Sequence, residues 1–128
     1  MTHAELSDLV VRFTDAFNRD DLDAVMGFFA DGIVYDEFNG KRSTGKDAVR
    51  AAFAPQFAGT FGKIRFASED LFVDTVSGKA LIRWLCTIER DGRKRGWRGL
   101  DILHVVDGKI TEKLTYAKAE RLALDEVP

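Results

Sequence analysis

The stretch ALIRWLCTIER-DG-RKRGWRGLDILHVV-DG-KITEKLTYAK, residues 80–118, decides the fold. Two Asp-Gly dipeptides, Asp91-Gly92 and Asp107-Gly108, divide it into three runs rich in β-branched and aromatic residues. Asp-Gly supplies the consecutive positive-φ positions of a two-residue hairpin turn, so each dipeptide reverses the chain between strands. The runs Ala80–Arg90, Lys94–Val106 and Lys109–Lys118 therefore read as an antiparallel meander. Upstream, Ile64–Asp74 alternates in the same way, and the turn Val76–Lys79 adds it as a fourth strand.

The first half follows a different period. Leu6, Leu9, Val10, Phe13, Ala16 and Phe17 recur every three or four residues, which predicts an amphipathic helix. Asn18-Arg19-Asp20-Asp21 interrupts it, with Asp20 or Asp21 placed to cap a short helix carrying Leu22, Val25, Met26 and Phe29. Asp31-Gly32 stops that helix, and Ile33–Phe38 reads as a strand. Turns follow at Asn39-Gly40 and Ser43-Thr44-Gly45, and Lys46–Phe57 forms a third helix with Val49, Phe53 and Phe57 on one face. The order α-α-β-α-β-β-β-β points to an α+β fold in which helices close over one side of a curved sheet. One domain over residues 1–128 is expected.

Composition removes several function classes. The 128 residues are 45% hydrophobic and carry a net charge of −2, so no global charge favours nucleic acid. The basic run Arg90–Arg98, with Trp97, falls on a hairpin tip where Lys and Arg ordinarily solvate a strand edge, and no nucleic-acid partner is expected. Cys86 is the sole cysteine, which excludes an internal disulfide, and His3 and His104 have no metal-ligand spacing. Neither a metal nor a cofactor is expected. No run approaches the roughly 18 uncharged residues of a membrane span, so a cytoplasmic protein is expected.

The opening helix, DLDAVMGFFADGIVYDEFNG, STGKDAVRAAF and VVDGKITEKLTY together resemble the nuclear-transport-factor-2-like superfamily, specifically its SnoaL-like and ketosteroid-isomerase-like branch. The resemblance spans nearly the whole chain. It implies a cone-shaped fold with three N-terminal helices on a strongly curved, mainly antiparallel sheet. The superfamily hosts isomerases, cyclases, dehydratases, epoxide hydrolases and adaptors, so the fold alone does not select a reaction. In ketosteroid isomerases an Asp general base stands in a V-E-D-P-F-G stretch, and V-Y-D-E-F-N here matches it with Asp36. The family's oxyanion-hole tyrosine falls on Phe13, its supporting tyrosines on Phe28 and Phe53, and its aspartic acid on His104. Phenylalanine donates no hydrogen bond, so ketosteroid isomerase activity itself is not expected.

With Asp36 facing a cavity, strand alternation carries Phe38, Arg83, Leu100, Ile102, His104 and Lys113 to the same side. Phe13 and Phe53 complete an apolar wall. The opposite parity gives Ile82, Trp84, Cys86, Ile88, Leu103, Val105, Leu114 and Tyr116, an apolar outer face that predicts a homodimer. Asp101 falls on that outer parity unless a bulge intervenes.

Asp36 fits two roles, a general base or a carboxylate paired with Arg83. His104 and Arg83 are the further catalytic candidates, and Lys113 is a substrate-orienting one. The set suits a cofactor-independent isomerase, cyclase or dehydratase acting on a small hydrophobic carbonyl compound. A non-catalytic ligand-binding or protein-interaction module is the alternative. Epoxide hydrolysis, which pairs two aspartates with an arginine, is a weaker third.

Overall fold

The computed structural model describes residues 1–118; the last ten positions of the expected 1–128 domain lie outside the described residues. Helix α1 spans His3–Asn18 and opens with a capping box. Thr2 Oγ1 accepts from the Glu5 amide (3.1 Å), and Glu5 Oε1 accepts from the Thr2 amide (2.8 Å). Its six predicted apolar positions, Leu6 to Phe17, are all buried. Asp21 caps the short helix α2, Leu22–Gly27, through the Ala24 amide. Strand β1, Phe29–Asp36, and a three-residue strand β2, Arg42–Thr44, form a hairpin around the expected Asn39-Gly40 turn, with β2 standing where a turn at Ser43-Thr44 was expected, and α3 covers Lys46–Phe57.

Four long strands complete the chain: β3 Lys63–Asp74, β4 Lys79–Arg90, β5 Arg93–Val106 and β6 Lys109–Lys118. Both Asp-Gly turns are present, with all four residues at positive φ. The sheet order is β2-β1-β6-β5-β4-β3. Only β1 and β6 are parallel, which places the early strand beside the last one and leaves the sheet open and curved. The helices pack on its concave side. Asn18, at the end of α1, both donates to the Phe66 carbonyl and accepts from the Phe66 amide (2.8 Å each), tying that helix to the edge strand β3.

One residue of extra chain sets the cavity's contents. Across β5 and β6, Val105 pairs with Ile110, whereas His104 pairs with Glu112, so Thr111 is a bulge with no partner of its own. Beyond it Leu103 faces Lys113, and Asp101 faces Thr115. Were Thr111 paired with His104 instead, Ile102 would share a face with Lys113. The structure therefore reverses the expected parity of β1, β4 and β5 and keeps that of β6. Ile33 and Tyr35, not Val34 and Asp36, are buried on β1; Ile82, Trp84 and Cys86 are buried on β4; Leu103 and Val105 are buried on β5. Both faces of β4 are apolar in sequence, so composition could not tell the covered face from the open one.

Candidate functional site

Among the described residues only two charged side chains are buried, Asp101 and Lys113, and they touch. Lys113 Nζ donates to Asp101 Oδ1 (3.0 Å) and to Thr115 Oγ1 (2.8 Å). The Thr115 hydroxyl in turn donates to Asp101 Oδ1 (2.5 Å). Trp84 Nε1 donates to the other carboxylate oxygen, Oδ2 (3.1 Å). Asp101 therefore accepts three hydrogen bonds, and Oδ2 retains a lone pair.

The ammonium is enclosed by rings. Its nitrogen lies 4.6 Å from the centroid of Tyr35, 5.6 Å from Phe53 and 5.9 Å from Phe17. Burial pulls the Lys113 pKa down, but the Asp101 carboxylate, assisted by Tyr35 and Glu37, more than offsets this and leaves it above the ordinary lysine value. Burial raises the neighbouring Tyr35 phenol, against the opposing pull of Lys113. The lysine is thus held as an ammonium at neutral pH.

This pair forms the floor of a cavity of about 380 Å³ between the concave face of the sheet and helices α1 and α3. Phe13, Phe17, Phe53, Phe66, Trp84, Ile88 and Trp97 supply most of the wall. Phe38 and Phe61 line it as well and are 58% and 50% exposed, which marks them as rim residues. Gly99 is what allows Trp84 to reach the floor. A Cβ at Gly99 would meet the Trp84 ring at 2.5 Å and the Tyr116 carbonyl oxygen at 2.4 Å, so the indole crosses a bare Cα on its way to Asp101.

Of the residues singled out in sequence, Lys113, Phe13, Phe38 and Phe53 line the cavity. The other five do not, because their strands present the opposite parity. Asp36 pairs in register with Leu114 on the convex face. Arg83 is on the same face, bound to Asp70 (3.0 Å). His104 Nδ1 lies 3.6 Å from Glu112, and Leu100 and Ile102 are also on the convex side. The expected pairing of Asp36 with Arg83 is absent: the arginine's partner is Asp70.

Asp101, Trp84, Glu37 and Trp97 were missing from the sequence-derived cavity. A signal existed for Asp101: a carboxylate inside the apolar run Leu100-Asp101-Ile102-Leu103 must find a buried partner. No helix is long and apolar enough to cross a membrane, and no cluster of three His, Cys, Asp or Glu is placed to hold a metal, both among the described residues.

Comparison with known proteins agrees with this architecture. A search of curated proteins finds no significant match. Among solved structures, an NTF2-like protein of unknown function from Mesorhizobium loti superposes with a TM-score of 0.77 at 25% identity, over 91% of this chain and 93% of that one. A candidate polyketide cyclase from Xanthomonas campestris pv. campestris gives 0.75 at 22% identity, over 89% and 90%. A candidate ketosteroid isomerase from Kribbella flavida gives 0.77 at 16% identity, over 98% and 92%. At these identities the latter two establish the shared fold only. The model of the SnoaL-like domain matches residues 10–113, a span that contains Asp101 and ends on Lys113, and the chain belongs to the SnoaL-like domain family.

Proposed function

We propose that this domain binds a small hydrophobic carbonyl compound and catalyses cofactor-independent proton transfer on it, as an isomerase, cyclase or dehydratase. The observation that carries this reading is the Asp101–Lys113 ion pair on the floor of an otherwise apolar cavity. Asp101 takes the general acid/base role that the sequence had suggested for Asp36. Lys113 has two N–H bonds committed, to Asp101 and Thr115, and its third is available to a carbonyl oxygen.

The chemistry follows from charge placement. Asp101 Oδ2 removes a proton from the carbon next to the carbonyl, and the C–H electron pair moves into the C=O to give an enolate. Negative charge passes from the carboxylate to the substrate oxygen, and the same ammonium adjoins both positions. No additional charge appears in a low-dielectric site, which is how preorganised electrostatics lowers such a barrier. Return of the proton to another carbon completes an isomerisation. Attack of the enolate on a second carbonyl closes a ring, and departure of a β-hydroxyl with the proton completes a dehydration.

Exchange of the methyl hydrogens of 2-acetonaphthone in D2O, followed by NMR, tests the reading. The protein is expected to accelerate exchange, and Asp101→Asn and Lys113→Met each to lower it by about 10²-fold or more. Asp36→Asn and His104→Ala are expected to leave it unchanged. No acceleration by the wild type, or full activity in Asp101→Asn, would refute the proposal.

We further propose a homodimer through the convex face. Phe72, Leu81, Ile102 and Leu114 form one cross-strand apolar row there, and Phe72 and Tyr116 are 60% and 56% exposed. Of the outer-face set expected from sequence, only Leu114 and Tyr116 belong to it. Analytical ultracentrifugation decides between dimer and monomer, and a monomer at micromolar concentration would end this proposal.

A further inference from the structure

The basic run at the β4–β5 hairpin sorts by face. Strand parity divides its five cations, Arg90, Arg93, Lys94, Arg95 and Arg98, between the two sides of the sheet. On the convex side both meet a carboxylate: Lys94 stands opposite Glu89 in register, and Arg98 Nε donates to Glu69 (2.9 Å). The concave side takes the other three. Arg93 and Arg95 form no ion pair among the described residues, and Arg90 has only Asp91 of the turn itself, at 3.8 Å.

That placement is electrostatically unfavourable. Arg90 and Arg93 are directly opposed across the hairpin, and Arg95 follows two residues along the same face, about 7 Å from Arg93. Like charges directly opposite each other destabilise a strand pair. Protection of a strand edge calls for charge, but it gives no reason to collect every unmatched cation on one face.

The three arginines stand at the mouth of the cavity. Arg95 is the register partner of Ile88 and lies two residues before Trp97 on the same face, and both of those residues line the cavity. Gly62, at a φ of 104°, packs against the hairpin tip, where a Cβ would come within 3.0 Å of Arg90 Cβ. The residue before it is the rim residue Phe61. All three arginines are exposed, so a group emerging past Phe61 and Trp97 meets them in water rather than behind the wall. Arg95 is six residues from Asp101, about 20 Å along β5, which assigns that group to the far end of a ligand whose other end is on the floor.

We propose that Arg90, Arg93 and Arg95 bind an oxyanion, and that the ligand of this cavity is an apolar ketone ending in a carboxylate or a phosphate. Planar guanidiniums hold such groups through paired N–H donors, and one oxyanion among the three offsets their mutual repulsion. This rests on the reading that a carbonyl compound occupies the cavity, and it narrows the substrate class to anionic ketones that present the apolar end first.

Calorimetric titration at low salt tests the proposal with three ketones: 6-(carboxymethoxy)-2-acetonaphthone, its methyl ester and 6-acetyl-2-naphthyl phosphate. At least one anion is expected to bind about ten-fold or more tightly than the ester, with the advantage shrinking at high salt, and the tighter of the two distinguishes carboxylate from phosphate. The triple variant Arg90→Gln/Arg93→Gln/Arg95→Gln is expected to bring that anion down to the affinity of the ester, and Lys94→Gln/Arg98→Gln to keep the preference. The triple variant loses a like-charge pair, so its urea midpoint is expected to equal or exceed that of the wild type. If the ester binds as tightly as both anions, the mouth site is refuted and the carbonyl reading stands. If the preference survives in the triple variant, or vanishes equally in Lys94→Gln/Arg98→Gln, the assignment to these three arginines is refuted. If no ketone binds, the proposed function falls and this inference falls with it.

Discussion

Replacing Lys113 by Met isolates what holds the cavity floor together. The lysine and Asp101 side chains are only 7% and 9% exposed, so little water is available to take over when one partner is lost. Asp101 keeps its hydrogen bonds from Thr115 and Trp84 in the variant, but those donors carry no net charge. An uncompensated buried carboxylate of this kind costs about 3–5 kcal/mol, a substantial part of the roughly 5–15 kcal/mol by which a domain is usually stable. The double variant Asp101→Asn/Lys113→Met removes both charges. Its methionine lies among Tyr35, Phe53 and Phe17, where sulfur and methylenes pack well, and its asparagine oxygen still accepts from Trp84 or Thr115. It is expected to recover to within about 2 kcal/mol of the wild type, since buried ion pairs are often replaceable by neutral groups. Urea unfolding at pH 7 reads this as a fall in midpoint for the single variant, partly reversed in the double one, with m unchanged. A single variant that unfolds at the wild-type midpoint would show that the two charges are not desolvated, and the argument from the ion pair would collapse.

Two further outcomes follow from the same region. Gly99→Ala sets a methyl group 2.5 Å from the Trp84 ring and 2.4 Å from a backbone oxygen, so it is expected to displace the indole, break its bond to Asp101 and cost about 2–3 kcal/mol; an unchanged melting temperature would contradict this. Alkaline pH should also destabilise the fold. Burial pushes the Cys86 thiol from 9.0 up to about 11, and Lys113 and Tyr35 are likewise raised. A folded-state pKa above the unfolded one means stability that is fully present below the unfolded value and lost as pH climbs through the folded one. The loss therefore begins near pH 9 with Cys86 and deepens above pH 10, and Cys86→Ala is expected to remove its earliest part, a contribution on the order of 2–3 kcal/mol. Urea midpoints that stay flat between pH 8 and pH 11 would refute it.

The helices and hairpins were legible because their signals are local. The three-and-four spacing of Leu6 to Phe17 and the two Asp-Gly turns specify elements without reference to anything distant. The site was less legible, because facing is a relation between strands. Lys113 was placed in the cavity with a companion, His104, that in fact pairs with Glu112 on the far side. Thr111 carries no mark of a bulge in its side chain, and Asp36 matched a catalytic pattern by residue type while its strand turned it outward. Trp84 and Gly99 form a cross-strand pair whose meaning emerges only once β4 and β5 are in register. Glu37 and Trp97 join the cavity wall only once β1 and β5 curve towards each other, which no linear pattern encodes.

The unpaired Thr111 has a consequence for how such cavities diversify. It works as a phase setting on the last strand: upstream of it Ile110 points inward, and downstream of it Lys113 and Thr115 do. Pairing that residue with His104 instead of bulging it would shift the rest of the strand by one step and offer Glu112 and Leu114 to the interior in their place. The floor would exchange an ammonium and a hydroxyl for a carboxylate and an alkyl group without one side chain having been substituted. Whether the extra residue is bulged or paired is therefore a variable of the chemistry in this fold. The same strand residues paired with or without the bulge would present opposite charges to the same ligand.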